Sequence, residues 1–248
     1  MNESRKNHPI DIQVISDIAG TLTDFREHIT AEEDFFHSRA ISALMEFEGL
    51  DKEQAKQRYE ELLPHSMKGN PDGFKSDPLY KSEFCPIVSK CADEGYRSGA
   101  LNMNAFLRPG AREFLEYLSK KDKRIILVSL SQVETTRTAL RTAGLERYVG
   151  PIYCSSDLGN KETGEAFSDI AKEQKLELFD CMYLDDKLRN VLGARTAGIG
   201  TSIWVAEPKD SDIVQDNIFT TSDFKEIKER YELHVRIVYD CVVGPMWA

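Results

Sequence analysis

What the chain lacks narrows the problem first. Its cysteines, Cys85, Cys91, Cys154, Cys181 and Cys241, are odd in number and contain no CxxC pair, which is the usage of a reduced, cytoplasmic chain rather than of a structural zinc site. No apolar run approaches the roughly 18 residues that a membrane span needs. The opening MNESRKNHPI carries charges with no apolar segment behind it, so no signal peptide is expected. There is no internal repeat and no low-complexity tract, and nothing in the pattern specifies an oligomeric state. A formal net charge of -10 argues against nucleic acid or an acidic membrane as partner. It does not exclude a phosphate ester, because a metal and a few local cations reverse the field inside a cleft. What is present is a 248-residue chain, 41% hydrophobic and 30% charged, long enough for a large α/β domain carrying an inserted smaller one.

The chain is organised around Asp11 to Asp24, DIQVISDIAGTLTD. Ile12, Val14 and Ile15 predict a buried strand that ends at Asp17, after which Gly20 and Thr21 break the pattern. From Phe25 to about Arg108 the texture turns helical. Thr30 with Glu33 predicts a capped helix ending at Gly49, and Asp51 with Gln54 a second that stops at Pro64. An irregular loop follows from His65 to Asp77, then a weaker helix from Pro86 to Tyr96. Beyond Arg108, with Pro109 at a helix start, strands and helices alternate: RIILV ending at Ser129, a helix capped by Ser131 and Glu134, Pro151 to Cys154, Gly164 to Gln174, and Cys181 to Leu184. A helix from Leu188 to Ala197 and a strand from Thr201 to Val205 complete the series. That alternation predicts an α/β fold, a parallel sheet covered on both faces. In the tail, 234–248, Val235, Ile237, Tyr239, Cys241 and Val243 alternate with less apolar neighbours and Trp247 closes the chain. An added edge strand and a partner-binding tail both fit that pattern, with packing on the chain's own core favoured.

Four pieces then fall at strand ends in a fixed order: Asp17, Ser129, Lys161, and the pair Asp185-Asp186. Taken singly, Ser129 reads as a helix N-cap, Lys161 as a solvated lysine, and the acidic pair as a complement to a helix dipole. Taken together, with a helical insert between the first two, they resemble the haloacid dehalogenase superfamily over about Ile12 to Lys228. The resemblance implies a Rossmann-like core (1–24 plus 109–233) and a type 1 helical cap (25–108). It implies an Mg²⁺-dependent hydrolase of a small phosphate or phosphonate metabolite, with Asp17 attacking phosphorus to give an aspartyl-phosphate. Asp17, the backbone carbonyl of Ala19 and Asp186 would hold the Mg²⁺, with Asp185 behind them and Asn190 orienting the pair. Lys161 would supply fixed positive charge, Ser129 and Thr21 would donate hydrogen bonds, and Gly20 would let backbone N–H groups approach the phosphate.

Finer texture points three ways. GNKETGEAFSDIA, and Ser129 followed by Val133-Glu134, are similar to enolase-phosphatases; LDDKLRN is similar to haloacid dehalogenases and epoxide-hydrolase phosphatase domains; DIAGT resembles phosphonoacetaldehyde hydrolases. The departure from the superfamily's Asp-x-Asp-Gly-Thr is Ala19, where its phosphatases carry the acid that protonates the leaving oxygen and then activates water. Three consequences stay open. The leaving group needs no proton, or another residue supplies one, with His28 the first candidate and His37 and His65 behind it. Alternatively the broken bond is carbon–phosphorus, which asks for a desolvated cap lysine such as Lys52, Lys56 or Lys68 as Schiff base. Or the chain is a non-catalytic relative that retains phosphate or metal binding. A haloacid dehalogenase fits less well, since that branch places Tyr at the Ala19 position and needs no metal.

Overall fold

A computed structural model describes residues 12–154, 157–206 and 218–243. In chain order the strands and α-helices are β1 (Gln13–Ser16), α1 (Phe25–Glu48), α2 (Lys52–Leu62), α3 (Cys85–Ser98), α4 (Ala111–Ser119), β2 (Ile125–Ser129), α5 (Val133–Thr142), β3 (Val149–Cys154), α6 (Glu165–Gln174), β4 (Cys181–Asp185), α7 (Leu188–Ala197), β5 (Thr201–Trp204), β6 (Phe219–Thr220) and α8 (Phe224–Val243). The sheet order is β3-β2-β1-β4-β5-β6. β1 pairs in parallel with β2 and β4, β4 with β5, and β5 with β6. This is the parallel sheet that the alternating pattern predicts, in the Rossmann-like layout that the resemblance implies.

The described residues divide into two compact units, one drawn from Met1–Leu22, Arg108–Val128 and Arg147–Ala248, the other from Thr23–Leu107 and Ser129–Glu146. In the first, β2 and β4 are buried at every position, as continuous apolar runs covered on both faces must be. Ile15, Ile126, Val128 and Tyr183 share a core with Phe167 and Ile170 of α6 and Ala194 of α7. Val14, Leu127, Met182 and Leu184 alternate with them, face the other way and are equally buried. α4 and α8 pack on each other there, with Phe114 and Phe224 rings 5.9 Å apart. Chain direction across the sheet reverses between β1 and β4, and their carboxyl ends are where open α/β sheets gather ligands.

The second unit is helical. Phe36, Leu44, Ala55, Leu62, Tyr80, Phe84 and Cys91 form its core. It also contains α5, which packs on α3, where the Thr135 hydroxyl donates to the Ser89 carbonyl at 2.9 Å. The four described cysteines are free, and no helix of the described residues is long and apolar enough to cross a membrane.

Several local expectations are corrected. α1 starts at Phe25, capped not by Thr30 but by Asp24, whose side chain accepts from the N–H groups of Arg26 and Glu27. Glu33 is therefore in the helix interior, where its carboxylate accepts from the Met67 N–H at 3.2 and 3.0 Å. Asp51 and Gln54 do form the expected capping box of α2. α5 has no side-chain cap: its N-cap is Gln132, one residue past Ser131, whose N–H donates back to the Ser129 hydroxyl. Pro109 stands two residues ahead of α4, whose N-cap is Gly110 at φ 80°. The tail is no edge strand: α8 runs through Val243, with Phe224, Ile227, Tyr231, His234 and Val238 buried at helical spacing. Ile237 and Tyr239 face solvent, so the alternation was incidental, while burial of His234 and Val238 is the expected packing on the chain's own core. Residues 244–248, with Trp247, lie outside the described residues.

Candidate active site

The sheet and one loop bring Asp17, Lys161, Asp185 and Asp186 together. Asp17 follows β1 directly, and its N–H continues the ladder by donating to the Leu184 carbonyl at 3.0 Å. Asp185 ends β4, and the next strand holds it in place through the Val205 N–H on its carbonyl at 2.9 Å. Lys161 lies in the turn before α6, 144 residues from Asp17. Its ammonium sits 3.1 Å from Asp17 Oδ1 and 3.1 Å from Asp185 Oδ2. The turn reaches this point because Gly193 of α7 has no side chain: a Cβ there would meet the Lys161 carbonyl oxygen at 2.1 Å.

These charges are nearly dry. Side-chain exposure is 10% for Lys161, 9% for Asp17 and 0% for Asp185. Burial opposes the Lys161 ammonium, but Asp17 and Asp185 outweigh it and hold the lysine above its ordinary pKa. Burial, helped by the Asp185 charge, raises the Asp17 carboxyl even against the attraction of Lys161. Burial also works against Asp185, yet Lys161, the Tyr183 phenol, the Lys187 N–H and the Asn190 amide together hold it below the usual carboxylate value. The site thus fixes one cation between two carboxylates in unlike environments. Asn190 orients Asp185 as expected, its Nδ2 lying 3.1 and 3.0 Å from the two oxygens.

Asp186 completes the cluster. The carboxylates of Asp17, Asp185 and Asp186 each offer an oxygen within 4.8 Å of the others. An all-oxygen, anionic donor set of this kind suits a hard cation such as Mg²⁺. The backbone around it is fixed from three sides: the Trp204 indole donates to the Asp186 carbonyl at 2.9 Å, Arg108 Nε donates to the Gly20 carbonyl at 3.1 Å, and Gly20 itself lies against Asp186. At φ +92° Gly20 occupies the left-handed region, and a Cβ on it would fall 2.4 Å from Asp186 Cγ. Thr21 is fully buried, and its hydroxyl has no hydrogen-bond partner. An orphaned buried hydroxyl beside Gly20 is the group an anionic oxygen would satisfy. Ala19, half-buried in this turn, presents only a methyl group.

The other predicted residues have different employments. Ser129 closes β2, the strand beside β1, with its hydroxyl engaged by Ser131. His28 belongs to the helical unit and both its nitrogens are committed, Nδ1 to Thr23 at 2.9 Å and Nε2 to Glu32 at 3.1 Å and Tyr96 at 3.0 Å, while its ring stacks on Phe106. His37 Nδ1 meets the Tyr59 hydroxyl, and His65 Nδ1 meets Asp77 at 2.7 Å. Lys68 and Lys56 are exposed and paired with Asp34 and Glu53, and Lys52 is exposed. Sequence reasoning missed Tyr183, Trp204 and Gly193, because their reading as core or helix residues is complete until the fold places them.

Residues 13–198 match the family model of a haloacid dehalogenase-like hydrolase. The chain belongs to that family of hydrolases. An enolase-phosphatase from Sulfurihydrogenibium sp. is 25% identical over 145 residues, which are 58% of this chain and 60% of that protein's length. Solved structures share the fold, among them the following two. The UTR4 protein of Saccharomyces cerevisiae superposes with a TM-score of 0.62 at 17% identity, covering 87% of this chain and 99% of that one. A HAD phosphatase from Thermococcus onnurineus does so with a TM-score of 0.57 at 18% identity, covering 89% and 97%.

Proposed function

We propose that this hydrolase is an Mg²⁺-dependent phosphatase that works through an aspartyl-phosphate on Asp17, and that its substrate is a small phosphorylated metabolite whose leaving group departs without needing a proton. The observation that carries the reading is the buried Lys161 ammonium held between Asp17 and Asp185, while the turn after β1 has Ala19 where an acid would stand. Asp17, Asp186 and the Ala19 carbonyl would hold the metal, which when bound offsets the negative charge of the phosphoryl group. Lys161 adds fixed positive charge at the same place, so that an anionic carboxylate can approach an anionic phosphate. The Thr21 hydroxyl and the turn's N–H groups orient the phosphoryl oxygens. As the Asp17 Oδ–P bond forms, the bond to the leaving oxygen breaks and that oxygen departs as an anion. Water then attacks the phosphorus, the Asp17 Oδ–P bond breaks to return the carboxylate, and the water's protons leave with the phosphate and to solvent.

General acid–base help is worth roughly 10²–10⁴ in rate, or about 3–5 kcal/mol, and an alkyl phosphate would forgo it here. An aryl, enol or acyl phosphate would forgo only the activation of water in the second step, because its leaving group is a stable anion. His28 does not substitute readily for the acid, since both of its nitrogens are already occupied. The exposure of Lys52, Lys56 and Lys68 favours phosphate over carbon–phosphorus cleavage, which asks for a desolvated amine. The helices of Thr23–Leu107 are proposed as the cap that selects the substrate.

The test is hydrolysis with Mg²⁺ of an aryl phosphate, an alkyl phosphate and phosphonoacetaldehyde, with Asp17→Asn as control. Aryl turnover well above alkyl turnover, abolished in Asp17→Asn, is the expected result. Phosphonoacetaldehyde turnover that borohydride blocks would replace this reading with carbon–phosphorus cleavage. Mg²⁺ binding with no turnover of any of the three would replace it with a non-catalytic relative.

A further inference from the structure

We propose that Tyr183 is a positioning residue of this site: its phenol fixes Asp185, and Asp185 in turn fixes where Lys161 stands against Asp17. The proposal rests on the phosphoryl-transfer reading above. Alternation along β4 puts Tyr183 and Asp185 two residues apart on one face of the sheet. The Tyr183 ring is fully buried among Ile15, Ile126, Val128 and Phe167, and it meets the Phe167 ring edge-on at 4.6 Å. A phenylalanine would fill that space equally well. What the hydroxyl adds is one hydrogen bond, donated to Asp185 Oδ2.

Asp185 is surrounded by donors. Oδ1 accepts from the Lys187 N–H at 2.8 Å and from Asn190 at 3.1 Å; Oδ2 accepts from Asn190 at 3.0 Å, from Lys161 at 3.1 Å and from Tyr183. Two carboxylate oxygens offer about four lone-pair sites, so this group is saturated and cannot turn. A lysine is a point charge on a flexible stem, and its value to an incoming phosphoryl group depends on being held in place beforehand. Asp185 is the fixed end of that tether and Asp17 the reacting end. Asn190 and Lys187 hold Asp185 from the α7 side. Among the described residues, Tyr183 is the side chain that holds it from within its own strand. Without the phenol, Oδ2 keeps only Asn190 and Lys161 as donors, so more of its charge falls on Lys161 and draws the ammonium from Asp17.

The experiment compares wild type with Tyr183→Phe, and with a ring-fluorinated tyrosine at position 183 that keeps the hydroxyl. Three quantities are read: melting temperature, kcat and KM on the best aryl phosphate, and binding of beryllofluoride with Mg²⁺ to Asp17, followed by ¹⁹F NMR. Tyr183→Phe is expected to melt close to wild type and keep its KM, while kcat and beryllofluoride affinity each fall by about tenfold or more, the scale of one hydrogen bond to a charged group. In a Lys161→Ala background the same change should lower kcat no further, because the two act as a unit. The fluorinated variant should keep activity, and its own ¹⁹F resonance should move when beryllofluoride binds. Unchanged kcat and adduct affinity in a folded Tyr183→Phe would overturn the proposal, and so would a fluorine signal indifferent to the adduct if Tyr183→Phe does not fold. Wild type forming no beryllofluoride adduct would overturn the phosphoryl-transfer reading itself, and this role with it.

Discussion

Replacing Lys161 with methionine removes the charge but keeps the buried stem, so its effect isolates the electrostatics of the site. The ammonium lies 3.1 Å from an oxygen of each of two carboxylates that are 9% and 0% exposed. At an effective dielectric constant of about 20, each contact corresponds to about 5 kcal/mol of attraction before desolvation is set against it. Deleting one partner of a buried ion pair costs about 3–5 kcal/mol, because the other charge is left behind. The variant can avoid that cost by protonating a carboxyl, and Asp17, already raised by its burial, is the group to do so. Protonating a carboxyl of ordinary pKa about 3.9 costs about 4 kcal/mol at pH 7 and about 1.5 kcal/mol at pH 5. The expected loss of stability is therefore about 4 kcal/mol at pH 7, shrinking to about 1.5 kcal/mol at pH 5. The sign follows from the native groups. The depressed Asp185 contributes stability that is present above its unfolded pKa and lost as pH falls, and the raised Lys161 contributes stability that is lost only in strong alkali. Without the lysine both carboxyls rise, and raised carboxyls lose stability as pH increases. Urea unfolding at the two pH values, followed by the fluorescence of Trp204 in the same unit, measures the difference. An equal loss at pH 5 and pH 7 would show that packing, not charge, holds Lys161, and would refute the reasoning.

Restoring the missing acid with Ala19→Asp should raise alkyl phosphate turnover by up to roughly 10²–10⁴ and aryl turnover far less. Steady-state rates on a matched pair of esters decide it, and an equal gain on both would place the limit elsewhere. In the helical unit, burial outweighs the Met67 N–H and pushes Glu33 up to about 7 from an ordinary 4.5. Its contribution to stability is thus fully present below pH 4.5 and lost as pH rises through 7. Glu33→Gln, which keeps an acceptor for Met67, should stabilise that unit by about 1–2 kcal/mol at pH 8, after allowance for solvent screening, and leave it unchanged at pH 4. Circular dichroism melts at both pH values would expose the opposite trend if Glu33 is ionised at little cost.

The strongest sequence signals were local ones. IILV and CMYL have to be buried strands because continuous apolar runs have no polar face to offer water, and both are fully buried. Leu188–Ala197 forms α7, and Asp51 and Gln54 form the capping box of α2, where periodicity and capping chemistry place them, since both depend on neighbours within one turn. Asp17 and Asp185-Asp186 stand at strand ends for the same reason: a charge cannot continue a buried run. Those signals were enough to predict a parallel α/β sheet with carboxylates at its carboxyl edge.

Tertiary structure decided what depends on distant partners. Asp24 rather than Thr30 starts α1, and Glu33 turns instead to a backbone N–H 34 residues away. Residues 234–239 alternate like a strand, yet burial of Tyr231, His234 and Val238 in one stripe makes them helix. His28 was a candidate acid in the sequence and is a committed hydrogen-bonding residue in the fold, because Thr23, Glu32 and Tyr96 converge on it. Tyr183 read as a core aromatic until folding put a carboxylate beside its hydroxyl. Which segments are buried strands, and where their charges stand, could be read from the chain alone, since burial and charge act residue by residue. Which of those charges meet, at 3.1 Å and out of water, was decided only by chain closure across 144 residues, which no local pattern encodes.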